Sequence, residues 1–349
     1  MHGQLLLSRL FHAAKRYDAA DLSAIFSEQE LLCVRIPDRE PYYVSIVSNA
    51  FAAYKGEEGL TAYLALATSE EDETFEQMEY EHAQRCLLAI FTEERADLEE
   101  QDLALLEESG VLFDGNVVQF RSKEPYQYPW HLSEEEQEDL LYIFEALLFA
   151  KEYFRSYGKE QQSDSLGAWL EAVEAAEYER IEYLPCFTVE GDAFVVSAEA
   201  LAEEELGFVF PQAFFSDPER QQHFKRMRPI PGKILYFITG VLPEPLMGSK
   251  KERPMYPIYG IIYDPQRDIL HSFSLIEEYE AEHHRFVSEL LSLFETTGKA
   301  QAIHCFGRRS LPLLGKIGPQ MGIMVVDGGP NARVEQLVLE MFTELFAGD

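Results

Sequence analysis

Apolar residues recur at three- and four-residue intervals in some stretches of this chain and alternate with polar ones in others, and the two periods predict its elements. Leu6, Leu10, Ala13 and Ala14 share one helical face, so residues 1–17 read as a first domain helix. A targeting peptide is the weaker reading, because no small-residue cleavage site follows. Residues 31–36 and 42–47 are rich in β-branched and aromatic side chains, and Pro37-Asp38-Arg39-Glu40-Pro41 supplies the turn of a hairpin. The Gly56-Glu57-Glu58-Gly59 stretch reads as a tight turn, followed by a short apolar run ending near Leu66. From Ser69 onward Phe75, Met78, His82, Cys86, Leu87, Ile90 and Phe91 keep helical spacing, which predicts one long acidic helix. A second acidic helix covers 99–109, stopped by Gly110.

Residues 117–132 read as a strand and an extended loop. Ser133 and Glu136 form a capping box before a helix carrying Leu140, Phe144, Leu147 and Leu148. The polar interval 156–165 reads as a linker. It divides an N-terminal α+β domain, 1–155, from a C-terminal mixed α/β domain, 166–349. The second half starts with an acidic helix near 166–179 and a hairpin, 183–189 and 193–197. A strand follows at 233–242, then a hairpin, 256–263 and 269–275. Helix 279–297, strand 301–306, helix 311–317, strand 322–326 and a final helix alternate to the end. The predicted class is therefore mixed α+β and α/β: an N-terminal hairpin with acidic helices, and a C-terminal mixed sheet covered by helices. Its order of elements is reminiscent of ribonuclease-H-like units, and of many others.

Charge changes the picture more than composition does. Of a net −33, residues 69–109 carry −13 and residues 133–205 carry −16, whereas 206–349 holds 17 acids against 15 bases. Such local acid disfavours nucleic acid, phosphorylated ligands and anionic membrane, and favours a basic protein partner. No apolar run reaches the roughly 18 residues of a membrane span. Cys33, Cys86, Cys186 and Cys305 are far apart and form no C-x-x-C pair, so the expectation is buried thiols in a reducing cytoplasm and no metal ligands.

The run Tyr54-Lys55-Gly56-Glu57-Glu58-Gly59-Leu60, with Phe120-Arg121-Ser122 and Pro129-Trp130-His131-Leu132-Ser133, resembles a family of uncharacterised bacterial proteins. Tyr259-Gly260-Ile261-Ile262-Tyr263-Asp264 and the alternating tail resemble the unit that often accompanies it. The resemblance implies a two-domain bacterial protein of unknown function and assigns no site.

Candidate chemistry is sparse. Asp264 and Asp327 end strands of the C-terminal sheet. With Glu282 or Glu289 they could hold Mg²⁺ in a nuclease-like arrangement, although Asp264 also opens a Pro-containing turn where Asp is favoured. Arg308, Arg309 and Ser310 join a strand to a helix, where backbone N–H groups and two guanidinium groups could receive an anion. Tyr126, Tyr128 and Trp130 lie on a proline-stiffened loop that could contact a partner. Arg220, Lys225, Arg226, Arg228 and Lys233, with Lys250, Lys251 and Arg253, concentrate positive charge that could dock an acidic surface, including that of a second copy. No Walker loop, nucleophile elbow or dinucleotide fingerprint is present, and no cofactor is expected outside the Mg²⁺ reading. The balance favours a non-catalytic interaction or regulatory protein. A strand-end enzyme and an acidic mimic of DNA are the alternatives.

Overall fold

The computed structural model describes residues 2–346 apart from 23–24, 27–29, 70–73, 162–165, 168, 171–172, 174–181, 192, 202–207 and 248–252. The chain forms two units. The first comprises Met1–Leu64, Ala83–Pro125 and Pro129–Gly207, and the second Ala65–His82, Tyr126–Tyr128 and Phe208–Asp349. No helix among the described residues is long and apolar enough to cross a membrane.

The first unit is built on a seven-stranded sheet. Its strands are β1 (Leu31–Arg35), β2 (Tyr42–Val47), β3 (Ala50–Lys55), β4 (Cys86–Thr92), β5 (Val117–Lys123), β6 (Glu182–Glu190) and β7 (Ala193–Leu201). They lie in the order β5-β4-β3-β2-β1-β6-β7, antiparallel throughout except for the parallel pair β1 and β6. Alternation splits the side chains between two cores. Val34, Val44, Phe51, Ala89 and Phe187 face α1 (His2–Asp18), α4 (Glu100–Ser109) and α5 (Glu134–Gln161). Cys33, Tyr43, Tyr54 and Cys186 face the opposite way, with Leu60 of α2 (Gly56–Thr68).

Local signals account for several of these boundaries. Gly110 ends α4 at φ 69°, and Ser133 and Glu136 cap α5 reciprocally through their side chains and backbone amides. Two expectations are corrected. Gly56 opens α2 and is not a turn beside it, and the long acidic helix is instead the short α3 (Thr74–His82) followed by β4. The helical spacing from Phe75 to Phe91 runs through a strand buried on both faces, where apolar residues carry no clear period. The expected linker also differs. Residues 156–161 continue α5, and residues 162–165 lie outside those described. The division between units falls after Gly207 because β6 adds to β1 of the first sheet. The helix expected at 166–179 falls mostly outside the described residues.

The second unit holds a five-stranded sheet of β8 (Ile234–Val241), β11 (Ile258–Asp264), β12 (Ile269–Ile276), β13 (Ala302–Phe306) and β14 (Met324–Asp327). The order is β12-β11-β8-β13-β14, with β8, β13 and β14 parallel. Numbered along the chain this is 3-2-1-4-5. A small ribbon, β9 (Leu246–Met247) with β10 (Pro254–Met255), accompanies it. On one face Leu235, Phe237, Ile262, Ile303 and Cys305 pack with α6 (Pro218–Arg226), α8 (His284–Thr297) and α9 (Ser310–Met321); α7 (Tyr279–Glu282) leads into α8. The other face, with Ile238, Tyr259, Ile261 and Phe306, is covered by α10 (Ala332–Phe346) and by Phe75 of α3.

Candidate functional site

The parallel strands β8, β13 and β14 end at one edge of the second sheet, and a cleft of about 340 Å³ opens there. Sheets of this kind collect ligands at the carboxyl ends of their strands, where loops diverge and helix N-termini converge. Three turns build the cleft. After β13 the chain passes Gly307 at φ 81°, so close to β8 that a Cβ there would lie 1.9 Å from the Thr239 carbonyl oxygen. Only glycine fits both constraints. Ser310 then begins α9. Its hydroxyl donates to Phe306 O at 2.6 Å, so it accepts from the Thr239 hydroxyl at 2.9 Å.

The second turn follows β14. Asp327 Oδ1 accepts from Gly329 N at 3.0 Å, and Asn331 Oδ1 accepts from Arg333 N and Val334 N at 3.2 Å, which caps α10. The third wall is α3, contributed by a segment far earlier in the sequence. The backbone amide of Phe75 bonds to the Glu335 carboxylate on α10. Burial raises the pKa of that carboxyl, and the amide bond opposes the rise. Glu76 pairs with Arg308 at 3.1 Å, and Glu79 pairs with Arg309.

The two arginines are held inside the unit. Arg309 is 1 % exposed; its guanidinium lies 4.9 Å from the rings of Tyr126 and Tyr279 and 5.1 Å from that of Phe210. Tyr126 also donates to Glu79 at 2.9 Å. Arg308 lies 4.3 Å from the Tyr80 ring and 5.0 Å from that of Phe208. Aromatic faces and carboxylates both attract guanidinium, so these groups are committed to internal partners. Ser310, expected beside them as an anion ligand, is buried with Thr239 and Phe306 as its partners.

The residues expected to hold a cation are not brought together. Asp264 and Asp327 sit on β11 and β14, with β8 and β13 between them. Three strand spacings alone put at least roughly 14 Å between them. Asp264 is buried and accepts from Gln266 N at 3.0 Å and Arg267 N at 3.1 Å, the turn role its sequence allowed. Glu282 accepts from the backbone amides of Glu277 and Glu278 and pairs with Arg285 at 2.7 Å, while Glu289 accepts from the Ser272 hydroxyl. Among the described residues no three carboxylates of the strand-end cleft gather to cation-sharing distance.

The aromatic loop is divided. Tyr126 is turned into the Glu79–Arg309 pair at φ 59°, and Tyr128 N donates to Pro254 O at 2.9 Å within the second unit. Trp130 belongs to the first unit, where its backbone exchanges two hydrogen bonds with Ser122. Tyr128 and Trp130 are 38 % and 40 % exposed. In the basic cluster, Lys233 is buried against Thr297 and Gly298, and Arg253 donates to Tyr128 O; Lys250 and Lys251 lie outside the described residues. Sequence reasoning placed Asp327 and Arg308 at this edge but missed Glu76, Glu79 and Glu335, which no local motif connects to it.

Four carboxylate residues, Glu76, Glu79, Asp327 and Glu335, and one arginine, Arg308, line the cleft together with Phe75 and Phe306. Its chemistry is therefore that of an acidic, partly aromatic recess in a unit built on a five-stranded mixed sheet, in a chain that also carries a seven-stranded α+β unit. Residues 8–169 match a family described as a domain of unknown function, DUF7309, and residues 220–342 match a second, DUF6930. Together they take in most of the chain, consistent with an uncharacterised two-domain family. The segment carrying β6 and β7 falls between the two matches. No curated protein matches the chain.

Proposed function

We propose that the protein is a non-catalytic interaction protein whose second unit receives a cationic group, a Lys or Arg side chain of a basic partner, in the strand-end cleft. The observation that carries this reading is the charge of the wall: of the carboxylate residues lining the cleft, Glu76 and Glu79 are paired with Arg308 and Arg309, which leaves Asp327 and Glu335 to receive a cation. An anion would meet net repulsion there, whereas a guanidinium or ammonium group gains charge-assisted hydrogen bonds and a contact with Phe75 or Phe306. The strand β8, ILYFITGV, carries no carboxylate, and β13 runs out into Gly-Arg-Arg, which favours recognition over metal-dependent hydrolysis. Four buried, unbridged cysteines accord with a cytoplasmic location.

The DNA-mimic alternative needs the acids of 69–109 and 133–205 on one surface, and many of these lie outside the described residues. A fluorescent Arg/Lys-rich peptide, titrated at low and moderate salt, tests the cleft. Asp327→Asn and Glu335→Gln should each weaken binding about tenfold, the size of one charge-assisted hydrogen bond. Unchanged affinity in both variants would remove the cleft from the account.

A further inference from the structure

The four cysteines are distant in sequence and all are buried, but strand register in the first unit brings two of them together. Cys33 on β1 lies opposite Cys186 on the parallel β6, and Cys186 lies opposite Ser197 on β7. Two residues beyond Ser197, alternation returns Glu199 to the same face. The Cys33 and Cys186 Sγ atoms are 3.3 Å apart, and Cys33 Sγ is 3.4 Å from Glu199 Oε2. All three donor atoms lie within 4.8 Å of one another. Arg35 holds the carboxylate from outside, with Nε 2.8 Å from Oε2 and Nη2 2.6 Å from Oε1.

We propose that Cys33, Cys186 and Glu199 form a binding site for a thiophilic divalent cation of the zinc class. Tetrahedral zinc, with bonds of about 2.3 Å to sulfur and about 2.0–2.2 Å to oxygen, needs donor atoms roughly 3.4–3.8 Å apart. The three side chains stand close to that spacing without an ion, so little rearrangement is required. Thiolate ligands select zinc over magnesium or calcium.

Charge closes as well. Binding releases one proton from each thiol, so two thiolates and one carboxylate face the dication, and Arg35 neutralises the remaining negative charge. Arg35 also fixes the orientation of the carboxylate, as outer-shell donors do in metal sites, while each oxygen keeps lone pairs for the ion. The Glu199 side chain, 22 % exposed against buried cysteines, provides the entry. The site is independent of the strand-end cleft and stands whatever that cleft binds.

Cobalt(II) is the probe, added to the reduced full-length protein. A thiolate-to-cobalt charge-transfer band, tetrahedral d–d bands, displacement by zinc and proton release on binding are expected. Cys33→Ser and Cys186→Ser should each abolish the charge-transfer band, and Glu199→Gln should weaken binding about tenfold or more. Cys86→Ser and Cys305→Ser should leave it unchanged. Zinc should also shield Cys33 and Cys186 from alkylation in the unsubstituted protein, a readout that does not depend on the folding of any variant. Absence of the band in the reduced protein, or shielding confined to Cys86 and Cys305, would overturn the site. A Cys33–Cys186 disulfide formed on oxidation, without cobalt binding in the reduced state, would equally replace it with a redox pair.

Discussion

Glu79 and Arg309, 230 residues apart, form a buried ion pair within the second unit, and Tyr126 donates a hydrogen bond to the same glutamate. The pair fastens α3 beside the strand ends. Removing one partner leaves the other charge buried without compensation. Glu79→Ala should therefore cost about 3–5 kcal/mol, whereas the apolar double replacement Glu79→Leu with Arg309→Met should cost far less. A double-mutant cycle by urea denaturation checks this. A loss below about 1 kcal/mol for Glu79→Ala would mean that the pair does not organise the edge.

Gly307 should tolerate no side chain. Gly307→Ala combines left-handed backbone with a Cβ 1.9 Å from the Thr239 carbonyl, whereas Gly322, also left-handed at φ 71°, has nothing within 4 Å of a Cβ. Gly322→Ala should cost about 1–2 kcal/mol, the intrinsic penalty of that conformation. Gly307→Ala should cost clearly more and displace the turn that carries Arg308. Equal losses in thermal denaturation would contradict the close approach.

In the first unit, Phe144 lies at the centre of an aromatic cluster, with ring centroids 5.0 Å from Phe51 and 5.5 Å from Tyr17. It is fully buried. Phe144→Ala should destabilise by about 3–5 kcal/mol through lost transfer energy and the cavity left behind. Phe144→Leu, which retains more volume, should cost much less; similar losses for the two substitutions would argue against a tightly packed cluster.

His271 gives the second unit a defined pH response. Burial, then the neighbouring Lys233 and Arg267, lower its pKa from the usual 6.5, and Asp264 opposes them. The folded state thus prefers the neutral ring. Above pH 6.5 neither state binds the proton and the group is silent; as pH falls below 6.5 the unfolded chain protonates first, so stability is lost until the folded pKa is passed. His271→Gln should remove this component of acid sensitivity, seen as a smaller stability difference between about pH 7.5 and about pH 5. An NMR titration placing His271 at or above 6.5 would refute the assignment.

Elements whose stability is signalled locally were legible in the sequence. Helix α1 shows its apolar stripe, α4 its terminal glycine, α5 its capping box, and the second sheet its alternation of strands and helices. What escaped reading depends on partners remote in sequence. Arg308 and Arg309 look like free cations after a strand, until Glu76 and Glu79 arrive from α3. Cys33 and Cys186, 153 residues apart, meet only because β6 joins β1 in register. The same pairing brings β6 into the first sheet, and no local property of β6 reveals which sheet it extends.

The most direct test of the acidic cleft is a chemical-shift map of the full-length protein titrated with an Arg/Lys-rich peptide. Saturable shifts are expected at Gly307, Asp327, Gly329, Asn331 and Glu335, lost together in Asp327→Asn with Glu335→Gln. Shifts confined to α4 and α5, with the strand-end residues unmoved, would contradict it.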